Sequence, residues 1–416
     1  MNDRQHNRVR VGCYVDPVAP IGVVRANIAL SRALGADDLW MGDHTRAMLP
    51  QLVWDPQRNP MARVIPNLDA YYDPTALIAR YAKRGLTIGT SVTDPLRRTP
   101  ADLARAWMTL HHVTKGNAIL GIGAGEIENT VPYGIPYERP VGRLEDTLAG
   151  LRAAWSNDGQ PISHRGPFHE WNHASFALPP LKGTTPPIWV AAQGPRACRA
   201  AGKYGDGWIH VHYGIETWQN SAAEVIAGAR SAGRDEQILT RSLLMAGIVV
   251  SSPRILERAV KSPVLVAAAL ALPADGWERA GVRHPFGSDY RGPQDYEPEL
   301  ITPDVLRHAT EVMTPHLFGT LMPAGSAAQV RDYLRPFVQQ GVNHVVVINL
   351  APAAGIAIGA DSLREQRRLI GALKAMKPGR FQASPTRGTD VAPHQDAGDA
   401  IVVRAGVIDG DASLRQ

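Results

Sequence analysis

LTIGTSVTDPLRRTPADLARAWMTLHHVTKGNAILGIGAG, residues 86–125, is the stretch that decides the fold. Leu86–Thr93 is a short apolar run with β-branched residues and reads as a strand. Pro100–Lys115 reads as a helix with proline in its first turn, and Ala118–Gly125 as a second buried strand. Two strands joined through a helix lie parallel, because only a crossover of this length returns the chain to the same end of the sheet.

The same unit repeats outward in both directions. Towards the N-terminus, Val9–Asp16 (VRVGCYVD) and Asp38–Asp43 (DLWMGD) are strands, with a helix from Ile21 to Leu34 between them. A proline-rich loop over 49–72 and a helix over Thr75–Arg84 then lead into Leu86. Towards the C-terminus come a helix Val141–Trp155, a strand Pro187–Gln193 and a helix opening at Pro195. They are followed by a strand Gly207–Val211, a helix Thr217–Ala232, a strand Leu243–Val250, a helix Ser326–Gln340 and a strand Asn343–Leu350. Eight strands alternating with helices predict an α/β fold closed into a (β/α)8 TIM barrel rather than an open doubly wound sheet.

Two segments break the rhythm and are expected as insertions in the βα loops. One, near 159–180, is rich in Gly, Pro, His and aromatic residues and reads as a loop or hairpin; the other lies near 275–303. Residues 1–377 are expected to form the barrel. Residues 378–416 turn Gly/Ala/Asp-rich and are expected to be poorly ordered, with one short strand at 400–405 (AIVVRA).

Composition sets limits on function. Of 416 residues, 44% are hydrophobic and 20% charged, which is ordinary for a globular chain. A formal charge of +5 favours an anionic ligand, but no Lys/Arg run marks a nucleic-acid arm. Cys13 and Cys198 stand far apart in no metal-ligand spacing and are expected as free thiols, with no metal site. The polar, basic MNDRQHNRVRVG opening lacks the apolar core of a signal peptide, and the longest apolar run, 263–273, is too short for a membrane span. A cytoplasmic protein is expected.

In a barrel of this kind chemistry sits where the strands end. Asp43-His44, Ser91-Val92-Thr93-Asp94, Gly123-Ala124-Gly125-Glu126, Gln193-Gly194-Pro195-Arg196 and His210-Val211-His212 occupy those ends. His44 changes charge near neutral pH, as proton transfer to a carbonyl oxygen requires, and Glu126 offers a second acid. A capping or core role for His44 and a helix-start role for Glu126 are the plainer alternatives. Gly121-Ile122-Gly123-Ala124-Gly125 has the spacing GxGxG rather than GxGxxG, which argues against NAD and is read as backbone drawn close to a planar ring. Gln193-Gly194-Pro195 opens a helix, whose free N–H groups suit a phosphate as well as a plain loop. Arg97, Arg98, Arg196, Arg199 and Lys203 are expected to add positive charge on that side.

These pieces together resemble the bacterial-luciferase-like family of flavin and deazaflavin oxidoreductases. The resemblance rests on LWMGDH (39–44), GTSVTD (89–94), ILGIGAGE (119–126), WVAAQGPRACRAAGKYGDGWI (189–209) and GVNHVVVIN (341–349). Within the family the chain is most similar to the branch using coenzyme F420, above all its phthiodiolone ketoreductases. WMGDHTRAMLP (40–50), the stretch 92–126 and HPFGSDYRGPQD (284–295) carry that likeness.

The resemblance implies that His44 and Glu126 are the acid/base pair, with Asp43 beside them at the cofactor. It implies a non-prolyl cis peptide at Ser91-Val92 behind the deazaflavin ring, with Thr93 and Gly125 at the same site. Ala192, Gln193, Gly194 and Pro195 match the phosphate turn. Four positions depart from the related glucose-6-phosphate dehydrogenases or ketoreductases. Val211 and Gly214 stand where the dehydrogenases hold a sugar phosphate with Thr and Lys, Met48 stands where an aromatic residue is expected, and Asn129 matches the dehydrogenases alone. The expected activity is hydride transfer between F420 and a ketone or alcohol, most readily a lipophilic or polyketide-type ketone reduced by a homodimer. An FMN-dependent monooxygenase and a cofactor-binding protein without catalysis are the alternatives.

Overall fold

The computed structural model describes residues 8–57, 59–211 and 214–382. Several strands are buried on both faces: every residue of β2 (Asp38–Met41) and β4 (Ala118–Ile122) is buried. Such strands need cover on two sides, which a closed parallel barrel inside a ring of helices supplies. The strands β1 (Arg10–Tyr14), β2, β3 (Thr87–Thr90) and β4 run side by side in chain order. After a two-stranded excursion, β5 (Ile162–Arg165) and β6 (Glu170–Ala174), they continue as β7 (Ile188–Ala191), β8 (Gly207–Val211) and β9 (Thr240–Val249). A two-residue strand β10 (Ala324–Gly325) pairs in parallel with the end of β9, and β11 (His344–Asn349) pairs with both β9 and β1, closing the barrel. Val11 lies opposite Val345 at the closure.

The helices begin where polar side chains and prolines stop the strand-side loops. α1 (Ile21–Ala33) follows β1; α2 (Pro74–Tyr81) is capped by Asp73 and α3 (Pro100–Val113) by Thr99, each with proline at its first position. α4 (Pro140–Trp155), α5 (Pro195–Tyr204) and α6 (Ile215–Ser231) continue the ring.

The insertion expected near 159–180 is the antiparallel β5–β6 hairpin. Asp146 of α4 ties it down, accepting from the N–H groups of Phe168 and His169 and pairing with His164 and His169 at 3.0 Å each. Trp171 of this hairpin packs on Phe176 and His164, at the outside of the barrel rather than in a pocket. The second insertion is larger than 275–303. Between β9 and β10 the chain forms α7 (Pro253–Val260), α8 (Pro263–Leu270), α9 (Ala274–Arg279), α10 (Pro303–Val312) and α11 (Pro315–Leu321). These helices have a core of their own in which Trp277, Tyr296 and Phe318 are fully buried. The apolar run 263–273 contributes α8, a core helix of this subassembly.

α12 (Ala327–Gln339) opens with a Ser326/Gln329 capping box, and α13 (Ile356–Lys374), unassigned from sequence, is the helix that follows β11. The barrel extends beyond the expected limit of 377: Phe381 is buried against Trp208 and under the Arg241 guanidinium. The expected strand at 400–405 falls outside the described residues.

Inside the barrel, Trp40 and Trp189 lie with ring centroids 4.7 Å apart, flanked by Ile119, Ile209 and Val346. Gly89 makes room, since a Cβ there would come within 2.5 Å of the Trp40 ring. Below them, at the N-terminal ends of the strands, buried His344 donates from Nε2 to Asp38 at 2.9 Å and meets the Ser242 hydroxyl at 2.8 Å. Arg10 and the Trp40 indole also bind Asp38. This end is sealed by side chains, so the site must lie at the other. Among the described residues no helix is long and apolar enough to cross a membrane.

Candidate active site at the barrel mouth

β2 ends in Gly42-Asp43-His44, and the carboxylate of Asp43 is already committed. Arg98 reaches it at 3.3 and 3.4 Å and Arg97 at 3.6 Å, while Arg97 also donates to the Asp43 carbonyl. Asp94 holds Arg97 in place, accepting from its N–H and from that of Leu96 at 2.9 Å. Asp43 therefore fixes the loop that carries His44. Arg97 and Arg98, expected as free positive charge for a phosphate, are instead its counter-ions. Arg196 and Arg199 are similarly paired, with Glu145 and Glu224. Lys203 lies along its neighbour Tyr204.

His44 is nearly enclosed, its side chain 11% exposed, whereas that of Glu126 is 37% exposed. Nδ1 of His44 is 3.9 Å from Oε2 of Glu126, and Asn129 stands between them. The Asn129 oxygen accepts from the Thr45 backbone N–H at 2.9 Å and faces the Thr45 hydroxyl at 3.1 Å. A backbone N–H can only donate, so this assigns the oxygen end of the amide and turns its NH2 towards the cluster. That nitrogen is 2.9 Å from His44 Nδ1, 3.3 Å from Glu126 Oε2 and 3.4 Å from Glu128 Oε1. Because Nδ1 accepts, the single proton of a neutral His44 is on Nε2.

Sequence reasoning missed several members of this site. Asp16, just beyond β1, is open to solvent from the mouth yet walled by protein; this enclosure raises its carboxyl, with the His44 ring opposing the shift. Tyr14 and Tyr71 line the same recess, Tyr71 with its ring centroid 5.7 Å from that of His44. Asp16 stands at the end of VRVGCYVD, so the strand-end rule that selected His44 could have found it. Glu128 is 1% exposed, and burial followed by the charge of Glu126 pushes its carboxyl up to about 9. Tyr137 donates to the Gly125 carbonyl at 2.9 Å and steadies the Glu126 loop.

A model of the luciferase-like monooxygenase family matches residues 15–344. The chain belongs to this family. The phthiodiolone/phenolphthiodiolone dimycocerosates ketoreductase of Mycobacterium tuberculosis is 37% identical to it over 331 residues, covering 78% of this chain and 87% of the relative. A 5,10-methylenetetrahydromethanopterin reductase of Methanolobus tindarius is 26% identical over 219 residues, 53% of this chain and 59% of that one. Among solved structures, an F420-dependent secondary alcohol dehydrogenase holding an F420–acetone adduct superposes with a TM-score of 0.65 at 20% identity, covering 88% and 99% of the two chains. The tetrahydromethanopterin reductase of Methanopyrus kandleri gives 0.66 at 17% identity, covering 88% and 98%. These superpositions establish the luciferase-like fold. Its relatives by sequence make the protein an oxidoreductase.

The other residues that the resemblance selected stand as follows. The Ser91–Val92 peptide is cis, and Thr93 is buried behind it. Gly121 and Gly123 face the neighbouring strand rather than open space: a Cβ on Gly121 would strike the Thr90 carbonyl oxygen, and one on Gly123 the Val92 side chain. These two glycines let β3 and β4 approach. Gly125 has φ +94° and turns the chain towards Glu126. Ala192 is buried; Gly194 precedes α5 with extended backbone, no side-chain cap, and open space where a Cβ would be. Gln193 keeps a buried side-chain oxygen without a hydrogen-bond partner. His210 is fully buried against Trp208, a core residue, and His212 lies outside the described residues. Phe286 and Tyr290 stack with His284 inside the second insertion.

Proposed function

We propose that the protein is a coenzyme F420-dependent ketoreductase that moves a hydride between the deazaflavin and a lipophilic or polyketide-type ketone or its alcohol. The observation that carries this reading is the meeting of His44 and Glu126 through Asn129 at the mouth of the barrel. The ketoreductase relatives at 37% identity support the substrate class.

The residues present fit the cofactor. The uncapped, open N-terminus of α5 after Gly194 offers N–H groups to a phosphate. Ser91, Val92 and Thr93 follow the end of β3, Gly125 precedes Glu126, and Asp43 ties the loop after β2 to the loop after β3 through Arg97 and Arg98. When bound, the deazaflavin supplies the hydride.

The protein's own part is to orient and protonate the substrate oxygen. Neutral His44 has one proton, on Nε2; giving it up would leave an imidazolate, which is too costly at neutral pH. His44 therefore polarises the carbonyl by hydrogen bonding, as a neutral imidazole can. Glu126, the more exposed of the two, delivers the proton to the oxygen as negative charge develops there, and takes it back in the reverse direction.

Titration of the purified protein with oxidised F420 and, separately, with FMN, followed by fluorescence, tests this. Micromolar or tighter binding of the deazaflavin alone, followed by turnover of lipophilic ketones, is the expected result. Preference for FMN would move the protein to the oxygen-using side of the family, because a deazaflavin carries carbon where FMN has the nitrogen needed for oxygen activation.

A further inference from the structure

The Asn129 amide presents two hydrogens to three acceptors: His44 Nδ1, Glu126 Oε2 and Glu128 Oε1, at 2.9, 3.3 and 3.4 Å. One acceptor must lack a donor unless a member of the cluster brings a proton of its own. His44 cannot bring it at Nδ1, since the nearest hydrogen there comes from Asn129. A cation does not relieve the deficit either: although these three side chains lie within 4.8 Å of one another, the nitrogen of Asn129 stands among them. The remaining source is a carboxyl.

We propose that Glu126 and Glu128 share a single proton, so that Glu128 is a positioning residue that keeps an acid available at the barrel mouth in neutral solution. Glu128 is 1% exposed and its Oε2 is buried with no partner, so a charge there would have neither water nor a counter-ion of its own. Arg46, the cation that acts on it, is already paired with Glu299. The groups facing it from elsewhere are Tyr137, after β4, and Tyr290 and Tyr296 of the second insertion; all three phenols are neutral and raised further by burial, with Glu128 contributing. Two carboxyls in contact cannot both ionise cheaply, and the buried one retains the proton. Burial and Glu126 push Glu128 up to about 9, so the pair holds its proton below that pH and loses it above.

The role in turnover rests on the ketoreductase reading. An exposed carboxyl standing alone is ionised at neutral pH and has no proton to give. With Glu128 beneath it, Glu126 can pass the shared proton to the substrate oxygen; an O–H bond breaks at the carboxyl and forms at the substrate, and the pair is left with two negative charges until solvent returns a proton to Glu126.

Infrared difference spectroscopy of the cofactor-free protein tests the shared proton without any assay of activity. The wild type minus Glu128→Gln spectrum is expected to show a protonated-carboxyl C=O band at neutral pH, shifted by deuterium exchange and lost as the pH passes about 9. In Glu126→Gln the like charge is gone, and the midpoint of that band should fall by about one unit or more. A spectrum without the band at neutral pH would overturn the proposal. So would a midpoint unmoved in Glu126→Gln, the variant that carries the test if Glu128→Gln does not fold. Failure of F420 binding leaves both readouts intact and bears only on the ketoreductase reading.

Discussion

Asn129 donates its side-chain amide to Nδ1 of His44 across 2.9 Å, with its oxygen end pinned by the backbone of Thr45. One amide thus decides which nitrogen of the His44 imidazole bears the proton, and it does so from a loop 85 residues further along the chain.

Replacement of Asn129 by Asp keeps the acceptor for Thr45 and turns the donor facing His44 into a second acceptor. A neutral ring then carries its proton at Nδ1, and Nε2 is left without a hydrogen for the substrate carbonyl. We expect kcat to fall on the order of 10²-fold, the usual worth of a positioned proton donor, with cofactor affinity within about twofold of wild type. Steady-state kinetics beside a fluorescence titration checks this; an unchanged kcat would remove Asn129 from the mechanism.

Glu126→Gln combined with His44→Gln removes both the proton donor and the polarising group. Turnover should drop below detection while F420 still binds. Residual ketone reduction above the uncatalysed rate would mean that another carboxyl of the recess, Asp16 or Glu128, does the work assigned to Glu126.

Gly194 sits at the N-cap of α5 with φ −74° and ψ 156°, a conformation any residue adopts, and with open space around it. Gly194→Asp places a carboxylate where the helix is uncapped. An Asp cap is only a few tenths of a kcal/mol better than Gly, so thermal stability should hold or rise slightly. Affinity for a cofactor phosphate at the same N–H groups should weaken at least about tenfold through competition for the donors and charge repulsion. A melting temperature that holds or rises while affinity falls separates a lost phosphate site from a damaged fold; unchanged affinity would show that the phosphate binds elsewhere.

At the sealed end of the barrel, burial alone would raise Asp38, but the His344 imidazole and Arg10 outweigh it and hold the carboxyl below its ordinary value. Its folded-state pKa being depressed, the stability it contributes is present above the unfolded value of about 3.9 and is lost as pH falls towards the folded one. Urea midpoints should therefore drop steeply below about pH 4. His344→Leu, which leaves the carboxylate buried and short of its main partner, should cost about 3–5 kcal/mol already at neutral pH. A loss under about 1 kcal/mol would mean that Arg10 and the Trp40 indole suffice.

The sequence by itself determined the eight strands and most of their helices, because a buried parallel strand and a proline-started helix are written in consecutive residues. It also pointed to His44 and Glu126, because a barrel exposes its chemistry where strands end and both follow a strand directly. The same rule applied to VRVGCYVD would have reached Asp16. Only the tertiary structure decided which charges are available. Arg97 and Arg98 look like phosphate ligands in sequence and are held by Asp43, Asp73 and Asp94 in space. Glu128 looks like any loop carboxylate and is buried. Asn129 looks like a remnant of a related activity and orders the site. Periodicity is a property of neighbours along the chain, whereas burial, pairing and the placement of a proton depend on groups that folding brings together from distant segments.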